Sequence, residues 1–468
     1  MLWEKPELAL PGISYIILSD DESVCVTTKT HFTVKGLSPD TEYVFSVLAK
    51  PEDGDSVRAG NPLTVRTKAK ESVVSILDHG AVGDGTTLNT RAIQAAIDAC
   101  PAGGVIRIPE GVFLSGALFL KSGMTLEIAE GGVLKGSADP EDYEPFIRNR
   151  FEGWELETYA SLLNAGALDS AGPANVRNIS IRGKGTISGG GQKLGAAMQD
   201  AHGFRSRGRL ICLMNAENIE VQGLTLEETP CWTLHYIYSE NVSCHGLTFK
   251  SVAHNGDGID PDSSRNSFIF NCVFTTSDDC IAIKSGKNPE GNVVNRPTEN
   301  VRVFDCRFTE GCGISIGSEM SGGVRNVLIE DCVAGNLRWG LQIKGTKDRG
   351  GFVENVTVRD CGLRLITIYS DVYYNNDGEP APEQPYYRNF RFENIDLTKG
   401  NASEPVIQVN GFPAEGHQTR DVIFENISLP EGSAITVDRA KDIVFSNITT
   451  TDGKKPAYTI TQSENVAY

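Results

Sequence analysis

Residues 300–306 read Asn-Val-Arg-Val-Phe-Asp-Cys, and residues 326–332 repeat the pattern as Asn-Val-Leu-Ile-Glu-Asp-Cys. Each copy places Asn or Asp before a short run of alternating apolar residues, which is typical of a strand. Ten copies occur, roughly 21 to 40 residues apart, and they begin at Asn178, Asn218, Asn241, Asn266, Asn300, Asn326, Asn355, Asn389, Asp421 and Asp442. A repeat with this spacing predicts a solenoid, and no helical pattern of the leucine-rich-repeat kind separates the copies. The sequence therefore predicts an all-β fold, a right-handed parallel β-helix.

A different pattern precedes the repeat. Residues 1–68 alternate apolar and polar residues in short runs separated by turn residues, which predicts a small antiparallel β-sandwich. Residues 36–47 resemble the fibronectin type III signature, with Tyr43 at the position of the tyrosine corner. The polar run 66–71 is typical of a linker, so we predict two domains, a fibronectin type III-like module at 1–68 and the β-helix at 72–468.

One helix is expected near the start of the second domain, where it would cover the open end of the solenoid. Asn89 or Thr90 is predicted to cap it. Its apolar stripe follows helical spacing and consists of Ile93, Ala96, Ile97 and Cys100.

Charge and cysteine content limit the environment and the partners. The chain of 468 residues has a formal net charge of −18, which argues against non-specific binding to nucleic acid or to an anionic membrane. Four of its eleven cysteines recur at one position of the repeat and are predicted to be buried thiols rather than disulfides: Cys272, Cys306, Cys332 and Cys361. The first residues do not show a basic segment followed by an apolar one, and no apolar run is long enough to span a bilayer. We therefore expect a cytoplasmic protein in a reducing compartment, with no cofactor or metal; the oligomeric state is left open.

Two acidic runs lie inside the repeat. Residues 255–260 read Asn-Gly-Asp-Gly-Ile-Asp, and residues 277–284 read Ser-Asp-Asp-Cys-Ile-Ala-Ile-Lys. Aligning the strands on their apolar anchors, Ile259, Ile281, Ile314 and Leu341, gives one column that contains Asp257, Asp279, Cys312 and Trp339. Neighbouring coils lie one strand spacing apart, roughly 4.8 Å. Asp257 and Asp279 are therefore predicted to stack, with Asp278 beside them and Lys344 on the same surface.

Three carboxylates this close cannot all be ionised comfortably, so at least one is expected to have a raised pKa and to carry a proton near neutral pH. A protonated carboxyl group beside a carboxylate is what acid and base catalysis of glycoside hydrolysis requires. Taken singly, each run also fits a polar turn of the solenoid or a Ca²⁺ site. The column of carboxylates beside Lys344 favours the catalytic interpretation.

This set of motifs resembles that of the polygalacturonases, glycoside hydrolase family 28, over roughly residues 72–450. Besides the two acidic runs it includes Gly-Cys-Gly-Ile-Ser-Ile-Gly-Ser-Glu at 311–319 and Gln-Ile-Lys at 342–344. Residues 317–324 look most like the bacterial exo-acting branch, which often carries a fibronectin-like module. The resemblance implies an inverting hydrolase that releases galacturonate from the non-reducing end of pectic oligosaccharides. It also implies Asp278 as the general acid, Asp257 and Asp279 as the pair that activates water, and Lys344 as the ligand of a substrate carboxylate.

Two positions depart from the family pattern. Its Gly-His-Gly is Gly-Cys-Gly here, with Cys312 in the middle, and its Arg-Ile-Lys begins with Gln342. A thiol cannot titrate like an imidazole, and an amide cannot form a bidentate ion pair. With Lys344, the predicted substrate-binding set is Gln342, Cys312, Asn255 and Arg209. The arginines that can replace the missing guanidinium are Arg205, Arg207, Arg209, Arg338 and Arg349.

These departures leave the substrate open. Rhamnogalacturonan or another modified pectic oligosaccharide is an alternative substrate for the same hydrolysis, and a non-catalytic carbohydrate-binding β-helix is a further alternative. A pectate-lyase-like enzyme would need a Ca²⁺ cluster and an arginine base. The stretches 136–165, 188–209 and 365–388 exceed what a coil needs. Their aromatic residues suit either sugar stacking or simple packing: Trp154, Tyr159, Tyr369, Tyr373, Tyr374, Tyr386 and Tyr387.

Overall fold

Two units make up the chain, Met1–Ser72 and Val73–Tyr468. The computed structural model of the protein describes residues 1–6, 12–52, 54–370 and 377–468. Within these ranges, every helix is too short or too polar to cross a membrane.

The N-terminal unit is built on antiparallel strands, as predicted. Its five strands form one sheet and are Ser14–Ser19, Glu22–Thr27, Glu42–Lys50, Val57–Arg58 and Leu63–Arg66. The long strand Glu42–Lys50 is central, because it pairs with Ser14–Ser19 along one edge and with the last two strands along the other. A separate antiparallel bridge joins Leu2 and His31, and Trp3 packs edge-on against Tyr15 with ring centroids 5.4 Å apart.

Tyr43 makes the backbone contact that the sequence predicts for it. Its hydroxyl accepts a hydrogen bond of 2.9 Å from the amide of Ser38, five positions earlier in the chain. A tyrosine that bonds back to the upstream backbone is a feature of immunoglobulin-like sandwiches. The described strands of this unit form a single sheet rather than two facing sheets of comparable size, and the relation to fibronectin type III stays a prediction.

The second unit is a parallel β-helix of 33 strands on three faces, which confirms the predicted fold class. We call face A the one whose strands are Leu118–Leu120, Leu163–Ala165, Ile211–Met214, Leu234–Ile237, Ile259–Asp262, Asp279–Ile283, Arg307–Ile316, Val333–Gly345, Ile366–Ser370, Ile407–Asn410, Ala434–Asp438 and Ala457–Thr461. Each of these strands hydrogen-bonds to the strand of the next coil, as in the pairings of Ile259–Asp262 with Leu234–Ile237 and of Val333–Gly345 with Ile366–Ser370.

Faces B and C complete each coil. Face B consists of Val73–Ser75, Val105–Ile108, Thr125–Ile128, Val176–Gly183, Ala216–Gln222, Glu240–His245, Arg265–Phe270, Thr298–Phe304, Val324–Glu330, Phe352–Gly362, Tyr386–Asp396, Thr419–Leu429, Ala440–Thr450 and Glu464–Ala467. Face C begins with Asp84–Leu88, Gly111–Ser115, Gly132–Gly136, Thr186–Ser188, Thr225–Glu227, Thr248–Lys250 and Val273–Thr275. In the described residues of the later coils, longer strands bend around the corner and serve two faces, as Arg307–Ile316 does.

The helices are short and few among the described residues. The α-helices are Thr90–Ala99, Gly191–His202 and Glu290–Val294, and the 3₁₀ turns are Ile76–His79, Pro140–Tyr143 and Phe204–Ser206. The predicted stripe is buried: Ile93, Ala96 and Ile97 lie in Thr90–Ala99, and Cys100 follows its last residue. Asn89 precedes this helix, but its side chain does not cap it; the amide accepts a hydrogen bond from Val82 instead. Beyond the coils, Ile147–Phe151 and Trp154–Thr158 form an antiparallel hairpin.

A left-handed turn recurs at the start of each repeat. All ten repeat residues have φ between 56° and 60°, the left-handed region, which Asn and Asp tolerate better than other residues with a β-carbon. Side-chain amides join successive turns: Asn326 donates to Asn300 at 3.0 Å and accepts from Asn355 at 3.0 Å. The repeat signature in the sequence therefore marks one column of linked turns.

Buried side chains inside the β-helix also recur at equivalent positions from coil to coil. Cys272, Cys306, Cys332 and Cys361 lie at equivalent positions, each at most 2% exposed, and all eleven cysteines are free thiols. The buried-thiol prediction is confirmed. Aromatic rings also stack between coils, as Phe249 does on Phe274 at 4.6 Å.

We expect Asn326→Ala to lower the free energy of unfolding by about 2–3 kcal/mol, because Ala in the left-handed region costs about 1–2 kcal/mol and the two ladder hydrogen bonds are lost. Asn326→Gly is the matched control, since it loses the same hydrogen bonds but adopts the turn freely, and it should cost about half as much. Urea unfolding of both variants measures the difference. Equal destabilisation by Ala and Gly would show that the left-handed backbone is not the reason for Asn.

Candidate active site

The register of face A agrees with the predicted anchors. Ile259 pairs with Ile281, Ile281 with Ile314, and Ile314 with Leu341. The predicted column differs at one point. A bulge at Cys280 makes Asp279 pair with Gly313, which pairs in turn with Gly340. Cys312 and Trp339 therefore each precede this column by one residue instead of belonging to it. The sequence alignment missed the bulge because it assumed equal spacing in every strand.

The backbone holds the second acidic run from both sides. The carbonyl of Asp279 accepts a hydrogen bond from Gly258 at 3.0 Å, and the carbonyl of Asp278 accepts one from Cys312 at 2.8 Å. Gly313 has φ of 96°, and a β-carbon there would lie 2.1 Å from the carbonyl of Gly340. Only glycine fits this position, and the coils can approach closely enough to fix the carboxyl groups.

An open cavity of about 660 Å³ lies over these residues. Five predicted site residues line it: Asp278, Asp279, Cys312, Gln342 and Lys344. Arg338, Trp339 and Tyr369 line it as well. A cavity of similar volume, about 670 Å³, lies in the N-terminal unit, but its lining is largely apolar. The face A cavity brings two carboxyl groups and a lysine together, and such groups can do acid and base chemistry.

Asp279 is oriented by two neighbours from later coils. The hydroxyl of Ser315 donates to its Oδ1 at 2.7 Å, and Nζ of Lys344 lies 3.0 Å from its Oδ2. Oxygens of Asp278 and Asp279 and the sulfur of Cys312 lie within 4.8 Å of one another. The structure thus brings these three predicted residues and Lys344 to one point of the cavity.

Asp257 lies in the interior beside a second lysine. It is 3% exposed, and its Oδ2 is 3.4 Å from Nζ of Lys284, which is also 3.0 Å from Asp260. The ammonium of Lys284 stands 3.6 Å from the ring centroid of Trp232, a close cation–π contact. Asp257 does not line the open cavity as Asp278 and Asp279 do.

The raised pKa that the sequence predicts falls on Asp257. Burial raises the pKa of this carboxyl group well above its usual value, the charge of Asp260 adds to the effect, and the attraction of Lys284 does not offset it. Burial likewise raises the pKa of Asp260 to about 6, against the opposing effect of Lys284. At neutral pH this pair therefore holds a proton directly behind the cavity.

The ammonium group of Lys284, which contacts both Asp257 and Asp260, has a raised pKa. Burial lowers the pKa of Lys284, but the charges of Asp260, Glu319 and Asp257 outweigh burial and hold the pKa well above its ordinary value. Burial raises the pKa of Glu319, and the charges of Lys284 and Arg349 reverse this, so its pKa is lowered. Lys284 is therefore charged at every physiological pH.

Two residues of the predicted substrate-binding set lie elsewhere. Arg209 is 1% exposed and donates to the carbonyls of Arg207 and Arg150, at 2.5 and 2.8 Å. Its guanidinium also stacks on Phe151 and Trp232. The structure does not bring Arg209 to the cavity, because these backbone and ring partners hold it inside.

Asn255 is the second predicted substrate-binding residue that lies outside the cavity lining. Its side-chain oxygen accepts a hydrogen bond of 2.8 Å from Arg207, and it is not among the residues that line the cavity with Asp278. Its backbone is in the left-handed region at φ 56°. These contacts describe a residue that shapes the turn before Asp257.

The aromatic residues of the long stretches divide between packing and the cavity. Tyr159 and Tyr387 are buried in the core, whereas Tyr369 lines the cavity. Tyr373 and Tyr374 lie outside the described residues. Packing explains the buried members, and Tyr369 is placed where a sugar could meet it.

Among the described residues, one group of side chains has ligand atoms close enough to share a metal ion. It consists of Asp278, Asp279 and Cys312. Ca²⁺ prefers six to eight oxygen ligands, and this group offers two carboxylates and a thiol. The ammonium of Lys344 lies 3.0 Å from Asp279 and would compete for the same oxygen. The donor set therefore does not suit the Ca²⁺ cluster of a lyase.

Sequence reasoning overlooked two charged residues next to the predicted ones. Lys284 directly follows the strand Asp279–Ile283, whose residues are all buried and mostly apolar, and Asp260 follows Ile259 on face A. A charge at the end of such a run is the signal that could have found them, since an isolated buried charge is costly.

The fold and the site together define a glycoside hydrolase built on a parallel β-helix. The family model of the glycosyl hydrolases family 28 matches residues 150–443, and the chain belongs to this family. It is 30% identical to the exo-poly-alpha-D-galacturonosidase of Dickeya chrysanthemi, over 89% of this chain and 77% of that protein. The predicted family and enzyme class are confirmed.

Solved structures agree with this assignment. The family 28 exopolygalacturonase of Yersinia enterocolitica superimposes with a TM-score of 0.89 at 28% identity, covering 99% of this chain and 95% of that one. The hyperthermoactive exopolygalacturonase of Thermotoga maritima gives a TM-score of 0.72 at 27% identity, over 82% of this chain and 93% of that one.

The raised pKa of Asp260 makes stability depend on pH in a defined window. In the unfolded chain Asp260 ionises near pH 4, whereas in the folded chain it ionises near pH 6. Its contribution is complete below about pH 4 and is lost as pH rises through about 6. We expect thermal midpoints of the parent to fall across this window relative to those of Asp260→Asn. Asp442→Asn, at a turn of the ladder, should follow the parent; identical profiles for the parent and Asp260→Asn would contradict the assignment.

Proposed function

We propose that the chain is an exo-acting hydrolase that releases galacturonate from the non-reducing end of pectic oligosaccharides. The similarity to the Dickeya exo-poly-alpha-D-galacturonosidase and to the Yersinia and Thermotoga exopolygalacturonases supports the substrate and the exo mode. The observation that carries the proposal is the carboxyl pair Asp278 and Asp279 at an open cavity, with Lys344 beside it. The cytoplasmic location expected from the sequence stays a proposal, supported by eleven free thiols.

Asp278 is the general acid in this proposal. It is half-buried and lines the cavity, so its carboxyl group can reach the oxygen of a glycosidic bond. Asp279 is committed to Ser315 and Lys344 and cannot serve the same purpose. Proton donation by a positioned carboxyl group typically contributes 10²–10⁴-fold to the rate.

Asp279 is the base that activates water, and Asp257 supports it from behind. Both oxygens of Asp279 are engaged, by Ser315 and by Lys344. Asp257 is close enough to Asp278 and Asp279 for their charges to raise its pKa. Proton sharing between Asp257 and Asp260 lowers the negative charge behind the cavity, which helps an anionic substrate to approach.

The inverting mechanism is proposed from the motif resemblance and not from the spacing of the carboxyl groups. In inverting glycosidases the pair usually stands about 6.5–9.5 Å apart, and in retaining ones about 5–5.5 Å. Oxygens of Asp278 and Asp279 come within 4.8 Å, which does not favour inversion. We propose inversion because the motif set to which Asp257, Asp278 and Asp279 belong resembles that of inverting hydrolases.

The uncharged residues in the cavity favour a second candidate substrate. Gln342 and Cys312 both line it, and Gln342 is 7% exposed. A neutral side chain at this point can hydrogen-bond a neutral sugar as readily as a galacturonate. Hydrolysis of rhamnogalacturonan or of another modified pectic oligosaccharide is the alternative function.

The products of defined oligogalacturonates with a labelled reducing end test the function directly. We expect mass spectrometry to show free galacturonate from the first time point, together with a labelled fragment one sugar shorter, because an exo enzyme removes terminal units. Proton NMR of the same reaction should show the product anomer opposite to that of the cleaved bond. Fragments of intermediate size at the first time point would refute exo action, and the same anomer would refute inversion.

Asp278→Asn should reduce kcat by about 10²–10⁴-fold, because the amide cannot donate a proton as a carboxylic acid does. Binding of oligogalacturonate, measured by calorimetry, should stay within a few-fold of the parent. Asp442→Asn makes the same chemical change at a turn of the ladder, where Asn is the usual occupant, and should leave kcat unchanged. Parental turnover by Asp278→Asn would exclude it as the acid.

A further inference from the structure

The cavity must accept a polyanion although its own catalytic pair is acidic. Two cationic side chains line it, Lys344 and Arg338. Lys344 is 7% exposed and lies 3.0 Å from Asp279, so much of its charge is already balanced inside the protein.

Arg338 differs from Lys344 in both respects. It is exposed, and within the part of the chain that the structure describes no carboxylate lies within 4 Å of its guanidinium. Its Nη2 lies 3.5 Å from the carbonyl oxygen of Ser277, a long contact that leaves most of its donors available. A guanidinium in this state can form a bidentate pair with a carboxylate from solution.

The other four arginines that the sequence offered as replacements are already committed. Arg209 and Arg349 are buried, and Arg349 donates to Ser318 and Asn288. Arg205 pairs with Glu152 and Asp377. Arg207 is 2% exposed and bonds to His254 and Asn255. Arg338 is thus the member of this set that faces the cavity with donors to spare.

The position of Arg338 also indicates which sugar it meets. Ser277, whose carbonyl it contacts, directly precedes Asp278. Lys344 contacts Asp279 instead. If Asp278 protonates the leaving oxygen, the leaving sugar lies on the Asp278 side of the cleaved bond, and this is the side of Arg338.

We propose that Arg338 binds the carboxylate of the sugar on the leaving-group side and sets the preference for galacturonate at that position. This inference rests on the proposed function, since it takes Asp278 as the acid. Arg338 supplies the positive charge that Gln342 lacks, from a position four residues earlier on the same strand, Val333–Gly345.

Two disaccharides that differ in one carboxylate test it. One is galacturonate linked to galacturonate; in the other the reducing-end sugar is galactose, without a carboxylate. We expect the parent to prefer the first in kcat/KM. Arg338→Gln should raise KM for the first roughly 10- to 100-fold, with kcat within about threefold, and should leave the second nearly unchanged.

Controls separate recognition from folding. Arg307→Gln makes the same change at an exposed face C position outside the cavity lining and should match the parent on both disaccharides. Arg338→Lys retains the charge without the fork of donors and should recover part of the preference. Thermal midpoints of all three variants should match that of the parent.

Two results would overturn the inference, and they differ in what they imply. An Arg338→Gln variant that keeps the parental preference, or that loses activity on both disaccharides equally, would refute the role of Arg338 and leave the hydrolase assignment intact. A parent enzyme that cleaves neither disaccharide nor longer oligogalacturonates would refute the proposed function and the inference together.

Discussion

The left-handed asparagine turn is the constraint on which the rest of the structure depends. It occurs once in each repeat, with φ between 56° and 60°, and its side chains are linked from coil to coil, as Asn326 is to Asn300 and Asn355. Because the turns are linked, the strands that follow them stay in register. Side chains at equivalent positions then form columns, and these columns include both the buried thiols and the carboxyl groups of the cavity.

The second requirement of the structure is that its acidic side chains are paired with cations. This pairing occurs both at the cavity surface and in the buried interior. On the cavity surface, Lys344 and Ser315 hold Asp279. One layer further inside, Lys284 lies between Asp257 and Asp260 and against Trp232. Removing ions from water costs several kcal/mol each, so a buried acidic cluster needs its own cation and its own shared proton. The acidic chain, with net charge −18, places two cations, Lys344 and Arg338, beside the two carboxyl groups of the cavity.

The arginines show what residue type alone can predict about the site. The sequence offered five arginines as replacements for a missing guanidinium, and nothing in their local context separates Arg209 from Arg338. In the structure Arg209 is packed between Phe151 and Trp232 with its donors on backbone carbonyls, whereas Arg338 is exposed at the cavity. These contacts come from residues distant in the chain, so no short pattern could have ranked the two.

The sequence by itself determined the solenoid, the family, and the two acidic runs with Lys344. These are written in local patterns: an asparagine before each strand, alternating apolar residues, and motifs a few residues long. Only the tertiary structure decided the bulge at Cys280, the burial of Asp257 beside Lys284, and the choice of arginine. The physical reason is that strand spacing, desolvation and charge pairing depend on which coils lie next to each other in space, and neighbouring coils contribute their residues from positions tens of residues apart.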